Sequence, residues 1–327
     1  MFLLTGFLGS GKTTLLNAAL REPALANTAV VVNELGEIGL DQLVLAQATD
    51  NVVLLDAGCL CCANTGALQE TLADLLHRRT RGEVPPFERV VIETSGAADP
   101  APLLQVLLGH PLVVSDYRLA AVVCTVDAQH FLDSREQHAE PDKQAAMADR
   151  LMITKRDLAD PDPVAAFLGE LNPEAELVDD AASAFGAPTR PRRPLGALIG
   201  PLRRHGRPSG IRSWSFRPGP TVTWAGWAAW SQQVAAAFGP RLLRVKALLQ
   251  MTETGEIALL QGVQGVFHPP QRFRDWPDAD HANRLVCIAR DVDEAALVAT
   301  LPVLATAAGT LVHVSIDDLQ HERLRQT

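Results

Sequence analysis

The sequence is short of several things, and each shortage removes a class of protein. Five cysteines among 327 residues are too few for a disulfide-stapled scaffold. Lys and Arg total 29 against 38 Asp and Glu, and the resulting net charge of −9 argues against a chain built to grip nucleic acid. No apolar run reaches the ~18 residues that a membrane-spanning helix needs, so neither nucleic acid nor membrane is expected as a partner. Residues 1–4 are apolar, but Thr5-Gly6 follows at once with no charged segment ahead, which reads against a secretory signal; a cytoplasmic location is expected. Acidic residues are missing altogether from 181 to 252. Eleven Arg and Lys fall there, so that stretch carries +11 and the remainder −20.

What is present is a folded soluble protein, 47% hydrophobic and 20% charged, long enough for two domains. Residues 186–220 are rich in Pro, Gly and Arg, a composition that defeats regular helix and reads as a linker. All five tryptophans (Trp214, Trp224, Trp227, Trp230 and Trp276) lie beyond Gly210. The chain is therefore divided into a domain at 1–182, a linker at 183–209 and a second domain at 210–327.

In the first part, strands are expected at 2–5, 29–33, 52–55, 90–93, 121–127, 151–154 and 176–178. Most are continuous apolar runs, as in strands buried on both faces of a parallel sheet. Helices are expected between them at 13–20, 67–78, 101–108 and 143–149. Alternating units of this kind make an α/β fold. The second part reads as a smaller α+β unit, with strands at 211–216, 242–250, 257–261, 266–268 and 285–289. Helices open there at Thr223 and Asp293, the latter running to about 304. Trp224, Trp227, Ala228, Ser231, Val234, Ala235 and Phe238 share one face of the first, which reads as core.

Gly6-Phe7-Leu8-Gly9-Ser10-Gly11-Lys12-Thr13 fits G-x-x-x-x-G-K-[ST] between an apolar strand and a helix that continues through Thr14. The glycines let backbone N–H groups curl around a β-phosphate at the positive end of the helix. Lys12 then bridges the β- and γ-phosphates, and the Thr13 hydroxyl ligates Mg²⁺. Glu93-Thr94-Ser95-Gly96 follows another apolar strand. There a carboxylate can hold Mg²⁺ or its water, and the Gly96 N–H can sense the γ-phosphate. Lys12, Thr13 and Glu93 are thus the catalytic candidates.

Thr154-Lys155-Arg156-Asp157 has the spacing of a guanine-reading N-K-x-D loop. A carboxylate accepts from guanine N1–H and the 2-amino group, a pair adenine cannot offer, so Asp157 argues for GTP while Lys155 covers the base. Thr154, standing where Asn is usual, is expected to loosen the loop's anchor. Asn33-Glu34-Leu35-Gly36-Glu37-Ile38-Gly39-Leu40-Asp41 is an acidic, glycine-punctuated loop placed to act as a switch.

Gly58-Cys59-Leu60-Cys61-Cys62 sets three thiols within four residues, able to converge on one soft ion with a coordination position left open. Cys124 and Cys287 fall within apolar strand patterns and read as inert core.

These motifs occur in the order P-loop, N-E-x-G-E-x-G-x-D, G-C-x-C-C, E-T-S-G and T-K-x-D. In that order the chain resembles the CobW-type GTPases, metallochaperones related to the nickel-insertion GTPases of urease and hydrogenase. Arg244-Val245-Lys246 and Val266-Phe267-His268 resemble the CobW C-terminal domain. The resemblance implies GTP and Mg²⁺ at Gly9, Gly11, Lys12, Thr13 and Thr14. It implies a transferable metal, Zn²⁺ first and Co²⁺ second, at Cys59, Cys61 and Cys62, with Glu37 or Asp41 as candidate helpers. It also implies slow GTP hydrolysis that controls metal release to a client metalloenzyme. A homodimer is admitted. The sequence departs from the family in lacking a His-rich metal-collecting segment, since only His205 stands in the linker. Two rival readings are a P-loop small-molecule kinase with a structural zinc, and a thiolate metal buffer without obligatory hydrolysis.

Overall fold

The computed structural model describes residues 1–32, 53–56, 65–186, 210–277 and 279–305. The chain divides into two compact units, Met1–Ser209 and Gly210–Thr327.

The first unit is built on a parallel sheet of seven strands: β1 (Phe2–Thr5), β2 (Thr28–Val32), β3 (Val53–Asp56), β4 (Arg89–Glu93), β5 (Ala121–Asp127), β6 (Arg150–Thr154) and β7 (Glu176–Leu177), ordered β3-β2-β4-β1-β5-β6-β7. β1, β2 and β5 are buried at every position, as strands covered on both faces must be. The chain leaves β1 toward one edge and returns through β4 to the other side at β5. Such a reversal opens a crevice at the carboxyl ends of the strands, where nucleotides bind in open α/β sheets. Register sharpens the point. Leu4 pairs with Glu93 and Thr5 with Cys124, while Asp127 pairs with Thr154, so the ends of β1, β4, β5 and β6 converge on one rim.

Helix α1 (Lys12–Arg21) inserts Leu15, Leu16, Ala19 and Leu20 into a core shared with Phe2, Leu4, Val30, Val32 and Phe185. Burying each leucine contributes about 1.5–3 kcal/mol, which fixes the helix's start and thereby the loop ahead of it. The helix expected at 143–149 instead spans Glu140–Met147. Pro141 sits in its first turn, where a missing N–H costs nothing. Asp149 leaves the helix to pair with β5, its carboxylate accepting the Val122 N–H at 2.8 Å. Helices at Pro111–Asp116, Phe131–Gln137 and Asp162–Leu171 were not expected from the pattern. Tyr117, after the first of these, donates its hydroxyl to the Leu72 carbonyl at 2.8 Å.

The second unit pairs an antiparallel sheet with one long helix. Its strands are β8 (Ile211–Phe216), β9 (Leu242–Gln250), β10 (Ile257–Val263), β11 (Val266–Phe267), β12 (Gln271–Phe273) and β13 (Arg284–Arg290), ordered β11-β10-β9-β13-β8 with β12 also on β10. The helix Trp224–Phe238 is capped by Thr223, whose hydroxyl accepts from the Gly226 N–H. Its core face is Gly226, Trp227, Trp230, Val234 and Phe238. Ala228, expected on that face, is exposed. Trp230 takes the centre with no exposed surface, its indole N–H donating to Thr300 Oγ1 at 2.9 Å. The helix expected from Asp293 to 304 ends at Val298 and resumes as a 3₁₀ turn, Leu301–Ala305. Pro302 lacks the N–H that would continue the ladder and would clash with the preceding turn.

Candidate nucleotide and metal-coupling site

The loop between β1 and α1 curls as its glycines dictate. Gly6, Gly9 and Gly11 all have positive φ (145°, 71° and 88°), and Gly11 caps α1 in the left-handed region. A side chain at Gly6 would in addition strike Thr125 Oγ1 at 2.4 Å and its carbonyl oxygen at 2.6 Å. The loop is pinned from β5 and β6. Ser10 Oγ lies 2.7 Å from Thr125 Oγ1, and the Thr154 hydroxyl donates to the Ser10 carbonyl at 2.8 Å. Thr154 therefore keeps the anchor that its substitution for Asn was expected to loosen, because a short hydroxyl suffices where β6 passes so close to the loop.

Lys12 extends its ammonium to the Gly6 and Phe7 carbonyls at 2.9 and 3.3 Å, across the concavity where phosphate oxygens belong. Thr13, one residue on, donates its hydroxyl to Glu93 Oε1 at 3.2 Å. Glu93 is 5% exposed at the end of β4. A hydroxyl and a carboxylate side by side are two hard oxygens of the kind Mg²⁺ takes, so the pair fits the ion expected there. Thr14 follows in the first turn of α1. Beyond Glu93, Thr94 donates its N–H to the Leu4 carbonyl at 2.9 Å, fastening the strand end to β1. Gly96 then lies so close to the loop that a methyl group on it would fall 2.8 Å from the Leu8 backbone.

The base-reading candidates sit at the far side of the loop. Lys155 has φ 56°, a left-handed conformation that a non-glycine residue holds only when its surroundings enforce it. Asp127 supplies that enforcement, accepting from Lys155 Nζ at 2.7 Å. Burial works to raise the Asp127 pKa, but hydrogen bonds from Lys155, the Gln129 N–H and His130 outweigh it and hold the carboxyl below its usual range. Asp127 thus stays charged and was missed from sequence. The signal was there, an acidic residue ending an apolar strand beside the one that carries T-K-x-D. Asp157 is exposed, within the turn closed by the Leu158 N–H on the Lys155 carbonyl.

The structure thus brings together Gly6, Gly9, Ser10, Gly11, Lys12, Thr13, Glu93 and Gly96, and joins Lys155 to them through Thr154 and Asp127. Glu37, Asp41, Cys59, Cys61 and Cys62 lie outside the described residues. Among the described residues no group of three His, Cys, Asp or Glu could hold a metal. Burial pushes the Cys124 thiol up to about 12 despite the nearby charge of Lys12, and burial likewise raises Cys287, so both stay protonated and inert as expected.

Comparison with known proteins agrees with this arrangement. The description "CobW/HypB/UreG, nucleotide-binding domain" matches residues 1–179, more than half of the chain. The chain belongs to the CobW/HypB/UreG family. A second match, the cobalamin synthesis protein cobW C-terminal domain, covers residues 211–304 and so places this member in the CobW branch with its second domain. The zinc chaperone YjiA of Escherichia coli is 39% identical over 157 residues, 48% of this chain and 49% of YjiA. The sequence match thus spans about half of that relative's length. The zinc chaperone CobW of Pseudomonas aeruginosa is 27% identical and aligns with 90% of this chain and 88% of its own. The crystal structure of Zn(II)-bound YjiA GTPase superposes with a TM-score of 0.68 at 26% identity, covering 93% of this chain and 98% of that one. This CobW-family chain therefore has the P-loop GTPase fold joined to a C-terminal antiparallel-sheet domain.

Proposed function

We propose that this chain is a GTP-hydrolysing metallochaperone that carries Zn²⁺, or Co²⁺ in its place, on Cys59, Cys61 and Cys62 and releases it to a client metalloenzyme. The observation that carries the reading is the close approach of Gly96 to Leu8 beside the Thr13–Glu93 pair. It sets the phosphate-binding loop against the next segment of the sheet's rim, which supports a reading in which occupancy of one is felt by the other. The zinc-chaperone relatives support the choice of cargo.

In this mechanism Lys12 leaves the Gly6 and Phe7 carbonyls and bridges the β- and γ-phosphates of GTP. Thr13 and Glu93 would hold Mg²⁺, which when bound would supply positive charge to offset that on the phosphates. Asp157 accepts from the guanine edge, while Asp127 keeps Lys155 over the base plane. The γ-phosphate draws the Gly96 N–H toward it, and this state is the one that favours metal on Cys59, Cys61 and Cys62. Hydrolysis removes the γ-phosphate and lowers metal affinity, so the ion passes on.

Linkage requires metal and GTP to raise one another's affinity by the same factor. Calorimetric titration of Zn²⁺ into the protein with GDP and with a non-hydrolysable GTP analogue tests this. Tighter binding by about tenfold or more in the analogue state is expected, which corresponds to about 1.4 kcal/mol of coupling. Equal affinities in the two states would refute the coupling.

A further inference from the structure

The loop after β4 is held from behind as well as facing the nucleotide loop. Gln144, in the helix Glu140–Met147, has no exposed surface. Its side-chain N–H₂ donates to two carbonyls of that loop, Gly96 at 3.0 Å and Ala98 at 2.9 Å. The reverse amide orientation would set an oxygen against both carbonyls, so the hydrogen-bond network fixes which end is which. The other end, Oε1, is buried with no hydrogen-bond partner. A buried acceptor left in that condition is costly, so the arrangement is half satisfied. One residue earlier, the Lys143 ammonium pairs with the Asp99 carboxylate on the same loop. Two adjacent residues of one short helix therefore grip Gly96 and the segment that leaves it, at Ala98 and Asp99.

The front of the turn meets the P-loop, where Gly96 abuts the Leu8 backbone. Phosphate oxygens compete for Lys12, which now bonds the Gly6 and Phe7 carbonyls, so a bound triphosphate reshapes the loop on which Leu8 sits. Advance of the Gly96 N–H toward a γ-phosphate pulls the Gly96 carbonyl away from Gln144. A diphosphate asks for no such advance.

We propose that Gln144, with Lys143 beside it, is a positioning residue that sets the preference between GTP and GDP by holding the Gly96 turn back until a γ-phosphate draws it forward. The inference rests on the GTPase reading above and adds to it the group against which the γ-phosphate works. Moving the turn exchanges the two Gln144 bonds for bonds to phosphate and gives Oε1 a chance to find a donor, so the turn has two discrete positions. Two neutral hydrogen bonds set the scale of the bias.

The test uses the full chain with Mg²⁺, titrated with fluorescent GDP and with a fluorescent non-hydrolysable GTP analogue. Gln144→Met keeps the shape of the side chain and removes both donors. The expected result is about three- to tenfold tighter binding of the analogue, with GDP affinity changed by less than about twofold. A purely structural role would move both affinities together or neither. Either of those results, or weaker analogue binding, overturns the proposal. Lys143→Ala, which loosens the same segment at Asp99, carries the same comparison if Gln144→Met fails to fold. Wild-type protein that bound neither nucleotide would reject the GTPase reading itself before any variant was compared.

Discussion

The chemistry of this site turns on a few side chains whose charge state or reach is fixed by one neighbour. Asp127 is the clearest, because it holds Lys155 in a conformation that few residues adopt unaided. Asp127→Asn keeps the shape and loses the charge. The expected outcome is about tenfold weaker GTP binding with ATP binding unchanged, read by competition with a fluorescent nucleotide; loss of both alike would show a general collapse of the rim. A second residue is set by burial. Burial first, then the Arg244 guanidinium, hold His268 at about 4 against an ordinary 6.5. Between these values the unfolded chain binds a proton that the folded chain does not. The contribution to stability is thus fully present above 6.5 and is lost as pH falls toward 4, up to about 3 kcal/mol in all. Urea midpoints should fall between pH 7 and pH 5, and His268→Gln should flatten that slope. An unchanged slope would remove His268 as its source. Residue by residue, the curl of the P-loop and the placing of Glu93 beside Thr13 were legible because such a loop demands fixed spacings in the chain, whereas the role of Asp157 stays a proposal. Asp127 and Gln144 were not, since each acts on a partner 28 or 46 to 48 positions away and neither belongs to a contiguous motif.

At the scale of elements, the helices that the pattern missed are those that tertiary contacts hold in place. The helix Phe131–Gln137 has only seven residues, too few to persist alone. It is held by Arg135, which forms a two-pronged ion pair with Asp142 at 2.8 and 2.9 Å and lies over the Phe167 ring at 3.9 Å. Both charged partners are buried, Asp142 completely. Asp142→Ala should cost about 3–5 kcal/mol, because it strands a cation away from water. The double variant Arg135→Met with Asp142→Leu should recover most of that loss in urea unfolding. Failure to recover would show that the pair contributes more than mutual compensation. The helix Asp162–Leu171 was hidden for another reason. Pro161 and Pro163 punctuate its start, and proline there reads as a breaker although the first turn of a helix accepts it. The strands were more visible. Those at 2–5 and 121–127 coincide with their apolar runs, because a strand buried on both faces can carry little else.

For the whole molecule, the decisive question is whether the nucleotide commands the metal. Lys12→Ala should abolish binding of GTP and its analogue, and Zn²⁺ affinity should then stay at its GDP-state value whichever nucleotide is added. Calorimetry on the full chain checks both. A variant that still tightened on Zn²⁺ when the analogue was added would show that the metal responds to something other than the phosphate loop. A simple thiolate buffer would show no nucleotide dependence even in the wild type. The match over the first domain had been foreshadowed by the order of the motifs, since P-loop, G-C-x-C-C, E-T-S-G and T-K-x-D in one chain constrain the fold far more than any of them singly. The second domain left fainter marks, because a sheet with a covering helix needs only suitable apolar residues and many sequences supply them.

Indole is confined to residues beyond Gly210, whereas the lone phenol, Tyr117, belongs to the first unit. The protein thus carries two natural chromophores sorted by domain. Emission from the tryptophans, led by the fully enclosed Trp230 and its neighbour Trp227 with ring centres 5.1 Å apart, reports on the second unit. Ultraviolet difference absorbance of the tyrosine reports on the first. Nucleotide added to one unit can therefore be watched for its effect on the other without any attached dye.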